Sequence, residues 1–326
     1  LAAAYLTWQR QPELQAGEVF ILDITKNELK KVVFEDEFTQ SRVELEPAKD
    51  DNGSFVTILL TRPQSENADK SKPAPQVLLR GNEAAKNLFE RFAPLRATRS
   101  LGVLDKAKLK DLHFDGVKKH ITITTRSGTR VFDMAAPSVA GNNDPYLRDT
   151  ADGRVFMVPR SILVDFSTAA SSLIERRLHA FRLEEADRLT ISAGAVTKEF
   201  RIARGADGKG VELAATATPD RPDTEARTWH DRVFSLGVAE VLGKDEKVKD
   251  GDPQTRLRLE YFSRGRLLGW LDLAEIPSPT DNVSTTAPSK KPALYARSEL
   301  TMGWDKLSGN MENLIADGLK LVGAKP

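Results

Sequence analysis

The chain has 326 residues, a mean hydropathy of -0.39 and a net charge of +1 from 48 basic and 47 acidic side chains. Apolar residues make up 40% and charged residues 29%, which is typical of a soluble globular protein with roughly two domains of ~150 residues. The balanced charge creates no overall field that would draw the chain to nucleic acid. Because cysteine is absent, disulfide frameworks, thiolate nucleophiles, iron–sulfur clusters and Cys-based zinc sites are excluded.

The chain begins with an apolar run, residues 1–6, followed by polar residues up to Pro12. This run is too short to cross a bilayer, which takes about 20 residues. We expect it to be the outer end of a membrane helix, with Tyr5 and Trp8 at the headgroup level, where amphipathic aromatic rings are favoured. Residues 1–16 are therefore predicted to be the end of a membrane anchor and a linker. The alternative is a trimmed chain whose first turn packs on the domain.

Short strands dominate the first half of the chain. Apolar alternation and turn residues predict strands over 19–24, 29–34, 41–45, 55–60, 120–125, 129–134 and 154–158. Residues 62–75, rich in Ser, Lys, Asn and Pro, are predicted to form a loop. Apolar residues at helical spacing follow the candidate N-cap Asn82 and predict a helix that ends or kinks at Pro94. A second helix is predicted over residues 162–177.

The same order of elements recurs in the second half. Residues 180–183, 188–191 and 197–203 correspond to the strand residues 20–23, 30–33 and 40–45, and a helix around Trp229 that ends at residues 242–243 corresponds to the first helix. Two strands, 255–262 and 267–273, flank a turn as the pair 120–125 and 129–134 does, and residues 294–297 parallel 146–148. A strand near 299–303 and a helix over 304–322 complete the second set.

A repeat of about 150 to 160 residues is too long for a solenoid unit. The predicted fold is therefore α+β, with two tandem copies of a β-rich antiparallel-sheet domain that each carry about two helices. The first copy is placed at residues 17–178 and the second at residues 179–326. The alternative is two unrelated β-rich halves.

No catalytic or metal-binding motif is found. No two of the four histidines lie within four residues of each other, which excludes a helical His pair or an H-E-x-x-H zinc motif, so each is predicted to be structural or exposed. Ser54 and Ser127 lie in turns rather than in a G-x-S-x-G elbow. Residues 205–210 lack P-loop spacing and are predicted to form a hairpin loop. The histidines are His113, His120, His179 and His230.

The acidic, basic and aromatic clusters also indicate no catalytic site. The candidate carboxylate pairs are 50–51, 184–185 and 250–252. Residues 50–51 and 250–252 lie in predicted turns, where Asp and Gly are favoured for backbone reasons, and 250–252 lacks EF-hand spacing. Basic residues cluster modestly at 106–119 and 256–266, without the exposed aromatic pairs that stack on nucleic acid. Trp229, Trp270 and Trp304 are predicted to anchor the core of the second copy. The alternative is an exposed platform for a sugar polymer or a protein partner.

Short sequence blocks resemble a known family. The blocks are residues 19–24 and 29–32, Leu101-Gly102 after the first helix, residues 145–148 and 155–158, and residues 174–181. Together they resemble the bacterial DUF4340 family over residues 19 to about 262. Two departures are the missing tryptophan in the first helix and residues 105–112, which only loosely resemble the Gly-Leu-x-x-Pro segment of the family.

The resemblance implies a single-pass, membrane-anchored protein on the periplasmic side of the bacterial inner membrane that accompanies a gliding-type ABC transporter. It implies no catalytic, cofactor-binding or metal-binding residues. We therefore expect a non-catalytic accessory subunit, without cofactor or nucleic acid, whose partners are the permease, the ATPase and other envelope proteins, for surface motility or pilus function. The alternatives are an envelope module that binds polysaccharide or peptidoglycan and an unrecognised hydrolase.

Overall fold

The computed structural model of the protein describes residues 17–51, 53–61, 74–136, 144–205, 210–249, 251–276, 293–309 and 311–325. Internal contacts divide the chain into two compact units. The first comprises the described residues up to Gln76 together with Gly81–Ile174, and the second comprises Val77–Arg80 and the described residues from Glu175 onwards. Residues 1–16, the predicted anchor and linker, lie outside the described residues.

The first unit is an antiparallel sheet with short helices. Its sheet runs β4-β3-β2-β8-β9-β10-β11-β7, and β1 pairs with β6 in a separate ribbon. The strands between Val19 and Met157 are β1 Val19–Leu22, β2 Leu29–Asp36, β3 Ser41–Asp50, β4 Gly53–Thr61, β5 Gln76–Arg80, β6 Leu95–Ala97, β7 Arg99–Val103, β8 Lys119–Thr125, β9 Thr129–Ala135, β10 Tyr146–Asp149 and β11 Arg154–Met157. The helices are α1 Glu83–Glu90, α2 Lys106–Asp111, α3 Arg160–Ser167 and α4 Ala169–Ser172.

Alternation along the strands builds the core of the first unit. Successive strand side chains point to opposite faces, so Val32 and Phe34 of β2 are buried on one face of the sheet. The ring of Phe34 stacks on Phe166 of α3 with 4.9 Å between ring centroids, and Phe92, which follows α1, lies 6.0 Å from Phe166. Helix α1 begins at Asn82, whose side-chain oxygen accepts a hydrogen bond from the backbone N–H of Ala85 (3.1 Å).

The second unit is also an antiparallel sheet with helices. Its sheet runs β14-β13-β12-β16-β17-β18-β19-β15. The strands are β12 Arg188–Ala193, β13 Val196–Arg204, β14 Val211–Ala215, β15 Gly237–Glu240, β16 Gln254–Ser263, β17 Arg266–Glu275, β18 Leu294–Ser298 and β19 Asp305–Ser308, and the helices are α5 Thr224–Phe234 and α6 Leu314–Val322. Most of β5 is counted with this unit, where the carbonyl of Leu78 accepts a hydrogen bond from the N–H of Lys244 (2.9 Å).

Helices α5 and α6 pack on each other and on the sheet of the second unit. Trp229 of α5 is 3% exposed, and its indole N–H donates to the carbonyl of Leu314 (2.8 Å) at the start of α6. Gly318 of α6 lies against Leu257 of β16 and the same Trp229 ring. The apolar face of the sheet and these two helices therefore form one core.

The α+β class with antiparallel sheets is confirmed, and most predicted strands lie where the sequence places them. Several boundaries are wrong. The helix predicted over 162–177 ends at Ser172, since Ile174 pairs with Gly81 and the N–H of Glu175 donates to Arg80. Residues 299–303 form no strand and 304–322 are not one helix: β19 comes first and α6 begins at Leu314.

Other elements were not predicted or have another form. Residues 180–183 were expected to form a strand, but the chain bends there and Leu183–Glu185 is a 3-10 helix. The helix around Trp229 ends at Phe234, and β15 follows before residues 242–243. Strands β5, β6, β7, β10, β14, β15 and β18 and helix α2 were missed. Residues 62–73 of the predicted loop lie outside the described residues.

We predict that Gly318→Ala destabilises the protein by about 1 to 3 kcal/mol through overpacking, against a gain of about 1 kcal/mol in helix propensity. A Cβ on Gly318 would lie 2.6 Å from the Trp229 ring, which cannot move freely because its N–H is bound to Leu314. Chemical denaturation of the full chain measures the effect. Lys320→Ala, at an exposed position two residues further along α6, is the matched control. Equal stability of both variants would contradict the tight helix–sheet contact.

Candidate functional site

The four histidines do not come together. His113 is exposed at the end of α2 and has a left-handed backbone (φ 62°), and His120 is half-buried on β8. His179 and His230 are both buried in the second unit. Among the described residues, no group of three His, Asp or Glu side chains is placed to hold a metal ion.

The other candidates from the sequence lie in exposed turns. Ser54 and Ser127 are exposed, as are Asp51 and the pair Glu184 and Glu185. Asp50 pairs with Gly53 at the turn between β3 and β4. Asp250 and residues 206–209 of the glycine-rich segment lie outside the described residues.

The three tryptophans of the second unit do not form one row. Trp229 is in the core, as predicted. The same prediction is wrong for Trp270 and Trp304, which are half-buried. Each has an arginine over its ring: Arg258 lies 4.7 Å from the centroid of Trp270, and Arg297 lies 4.1 Å from the centroid of Trp304. One face of each half-buried ring is therefore already in contact with a guanidinium.

A buried carboxylate organises the side of the second sheet that does not face the helices. Asp272 of β17 is 4% exposed and stands opposite Arg258 of β16 on one side and Arg297 of β18 on the other. Arg258 Nη1 donates to Asp272 Oδ1 (3.1 Å), and Arg297 Nη2 lies 3.5 Å from Asp272 Oδ2. We call this side the polar face of the second sheet. Its members, by strand register, are Arg188, Thr190, Ser192, Arg258, Glu260, Trp270, Asp272 and Arg297.

The sheet of the first unit carries a carboxylate in a similar setting. Asp133 of β9 stands opposite His120 of β8 and Arg148 of β10. Its Oδ1 lies 3.1 Å from His120 Nδ1, and its Oδ2 accepts from Arg148 Nε (3.2 Å). The Arg148 guanidinium lies over an aromatic ring, that of Phe114, at 5.4 Å.

A second ion pair lies between the first two strands of each sheet. In the first unit, Lys31 Nζ donates to Glu44 Oε2 (2.9 Å), and Arg42 Nε donates to Glu44 Oε1 (2.8 Å). Burial alone would raise the pKa of the Glu44 carboxyl, but the hydrogen bonds from Lys31 and Arg42 outweigh it and lower this pKa. In the second unit, Arg188 Nη1 donates to Glu199 Oε2 (2.8 Å).

These contacts fit a binding surface better than acid–base chemistry. The oxygens of Asp133 and Asp272 already accept hydrogen bonds or contact cations, so both carboxylates are engaged within the fold. A guanidinium held over an aromatic ring is pre-oriented and only weakly hydrated, which favours contact with another protein. The arrangement can therefore present arginine and tryptophan side chains to a partner.

A groove of about 730 Å³ lies in the first unit beside residues 93–96. Its charged side chains are paired within the fold: Lys26 with Glu90, and Arg91 with Asp165 and with Ser161 Oγ (3.0 Å). Because these charges already have partners, the groove does not indicate a particular ligand.

The sequence prediction missed both central carboxylates. A signal for them was present, since each is an Asp between two apolar strand residues: Asp133 between Phe132 and Met134, and Asp272 between Leu271 and Leu273. An acidic residue in such a run indicates a carboxylate that needs cations on both neighbouring strands. Register, which decides whether those cations are present, is not readable from one strand alone.

Comparison with known proteins adds no assignment: the chain matches no family model, no curated protein and no solved structure. The similarity to the DUF4340 family thus stays a prediction from the quoted residues. No helix in the described part of the chain combines the length and the hydropathy that crossing a bilayer requires.

Asp305 of β19 is a buried acid with one described hydrogen bond, from the N–H of Leu242 (3.2 Å). Burial raises the pKa of Asp305 to about 7, although the bond from Leu242 and the charge of Arg176 act in the opposite direction. In the folded protein this carboxyl therefore holds its proton over a range in which the unfolded chain has lost it. Its contribution to stability is present below pH 3.8 and is lost as the pH rises towards 7.

We predict that the free energy of unfolding of the wild type, relative to Asp305→Asn, falls by up to about 4 kcal/mol between pH 4 and pH 7.5. The amide of the variant is neutral throughout, so only the wild type loses a proton-linked contribution. Urea unfolding of both proteins at several pH values measures the difference. Asp252→Asn, at an exposed position, controls for the loss of one charge, and a difference independent of pH would contradict the raised pKa.

Proposed function

We propose that the chain is a non-catalytic accessory subunit of an ABC-type transport system, anchored in the bacterial inner membrane with its folded units on the periplasmic side. In this proposal it serves surface motility or pilus function by binding the permease, the ATPase complex and other envelope proteins. The observation that carries the binding role is the polar face of the second sheet, where Arg258 and Arg297 are held over Trp270 and Trp304.

We further propose that the two units are tandem copies of one domain. Their sheets support this, because the orders β4-β3-β2-β8-β9-β10-β11-β7 and β14-β13-β12-β16-β17-β18-β19-β15 become the same when the eight strands of each order are numbered along the chain, leaving out the separate ribbon of β1 and β6. Both place one helix between the third strand and the edge strand, α1 and α5, and one after the last strand, α3 and α6. Helices α2 and α4 of the first unit have no counterparts among the described residues of the second.

The first helix of each unit supports the same proposal. Asp223 caps α5 by accepting from the N–H of Ala226 (2.9 Å), as Asn82 caps α1 by accepting from Ala85. The residues at equal distances from these two caps are buried in both units. The pairs are Ala85 and Ala226, Leu88 and Trp229, Phe89 and His230, Phe92 and Val233, and Leu95 and Leu236.

The ionic contacts of the two sheets also correspond. Asp133 and Asp272 occupy the same strand in the common order, and Arg148 and Arg297 face them from the same neighbouring strand. In both units the arginine lies over an aromatic ring, but Phe114 comes from the segment after α2, whereas Trp304 directly precedes β19. Duplication followed by divergence accounts for an arginine–aromatic contact that both units share although the aromatic residue comes from a different segment in each.

Tryptophan and arginine are enriched among the residues that dominate binding energy at protein interfaces. The polar face carries arginine and tryptophan side chains, which can both stack and form hydrogen bonds. The buried Asp272 contacts two of these arginines, Arg258 and Arg297. The transporter partner comes from the family resemblance alone. The polysaccharide alternative has less support, because Trp229 is buried and the two other rings are partly covered by arginine.

We predict that a photo-crosslinking amino acid at Ser192, on the polar face, captures the permease in living cells, and that the ATPase is recovered only as part of the permease's complex. The experiment uses the full-length, membrane-embedded protein in its native host and identifies adducts by mass spectrometry. The same amino acid at Thr228, exposed on α5 on the opposite side of the sheet, is the control and is expected to capture none above background.

Two outcomes would overturn this function. Recovery of glycan from Ser192 would support the polysaccharide-binding module instead. Recovery of no transporter component from Ser192, in cells where the transporter is present, would remove the accessory-subunit role.

A further inference from the structure

Four polar side chains lie together inside the second unit. His230 and Tyr261 are 0% exposed and lie 3.0 Å apart, from Nε2 to the phenol oxygen. His179 stacks on Phe234 (5.1 Å between ring centroids), on which His230 also stacks (5.7 Å). The Glu299 carboxylate lies 3.3 Å from His179 Nδ1. We call His179, His230, Tyr261 and Glu299 the buried polar cluster.

Glu299 binds the segment of residues 178–181, which lies near the start of the second unit. Its Oε1 accepts from the N–H of Ala180 (3.0 Å), and its Oε2 accepts from the N–H of Trp270 on β17 (2.9 Å). The backbone of β17 approaches this carboxylate closely, since a Cβ on Gly269 would lie 2.5 Å from it. The hydrogen bonds described between segment and strand therefore come from one carboxylate, while Phe181 of the segment packs on Tyr261 (5.1 Å between ring centroids).

The first unit does without polar side chains at the corresponding places. If the units are tandem copies, Phe89 corresponds to His230, and Ile123 of β8 corresponds to Tyr261 of β16. Phe89 and Ile123 are both buried. This comparison rests on the tandem-copy proposal, whereas the contacts above do not. The domain can evidently form its core with apolar residues at these positions.

The buried site of His230 offers no hydrogen-bond acceptor for a second N–H group on its imidazole ring. Its Nε2 is engaged by Tyr261, and its Nδ1 has no hydrogen-bond partner in the described structure. A protonated imidazole donates a hydrogen bond from both nitrogens. The titratable groups next to His230 are Tyr261 and His179, and neither is an anion that could accept such a bond. Glu299 is already bound to His179, Ala180 and Trp270.

We propose that the buried polar cluster is an acid-sensitive latch. At neutral pH it holds residues 178–181 against the sheet of the second unit. When the medium becomes acidic, His230 takes up a proton only by leaving its buried site, and the segment is released with it.

The electrostatics of His230 agree with this geometry. Burial lowers the pKa of His230 to about 4, and the nearby His179 acts in the same direction. A histidine with a depressed folded-state pKa stabilises the closed form above its ordinary pKa of 6.5, and this contribution is lost as the pH falls towards 4. If the open form exposes His230, its population rises on the order of 50-fold between pH 7.5 and pH 4.5.

Hydrogen exchange of the full chain, measured by mass spectrometry at pH 7.5 and 4.5 and corrected for the intrinsic rate, tests the latch. We expect protection of residues 178–183 and of the end of α5 to fall on the order of 50-fold at pH 4.5 in the wild type. In His230→Phe, which places the first unit's side chain in this site, the change should be under about threefold. Peptides of α1 are the internal reference, and Asp305 contributes equally to both proteins.

His120→Asn removes a half-buried histidine from the other unit and should respond to acid as the wild type does. If His230→Phe does not fold, His230→Gln replaces it, with the same expectation. The latch is overturned if the wild type shows no acid-dependent loss, or if the His230 variant loses protection as the wild type does. Because no partner is present in the exchange experiment, its result is independent of the docking proposal.

Discussion

In each sheet, the arrangement of the central strands depends on one buried carboxylate, that of Asp133 in the first unit and that of Asp272 in the second. Taking such a charge out of water costs several kcal/mol unless its oxygens are paired with cations. Asp272 therefore requires Arg258 and Arg297 to stand opposite it on the two neighbouring strands, which only one register provides. The guanidiniums contact this carboxylate and lie over Trp270 and Trp304, so their positions are set by contacts within the second unit.

The first unit meets the same requirement with other residues. His120 takes the place of one arginine at Asp133, and Phe114 supplies the ring under Arg148. Under the tandem-copy proposal, the carboxylate and one arginine stayed while the surrounding residues changed. The second unit departs most strongly in its interior, where His230, Tyr261 and Asp305 are buried. This polar interior is the basis of the pH dependence that we predict for the second unit.

The sequence predicts the long, locally determined elements well. Strands β2, β4, β8, β9, β16 and β17 alternate or are strongly apolar between turn residues, and Asn82 is recognisable as a cap. The errors occur where tertiary pairing decides. Residues 173–177 have helical spacing, but the backbone of Ile174 pairs with Gly81 instead. Short exposed strands such as β7 and β15 have no strong pattern because they pair along only one edge. The central carboxylates could not be recognised as a site from the sequence, because the strand register that places their cationic partners opposite them is a property of the folded sheet.

The most direct test of this account is hydrogen exchange of the full chain in Asp133→Asn and Asp272→Asn. Each buried carboxylate should stabilise its own sheet, by about 2 kcal/mol after allowance for the partial exposure of its arginines. The account predicts that Asp133→Asn lowers protection in β8, β9 and β10, and that Asp272→Asn lowers it in β16, β17 and β18. Unchanged protection in either variant, or an equal loss over both sheets, would contradict it.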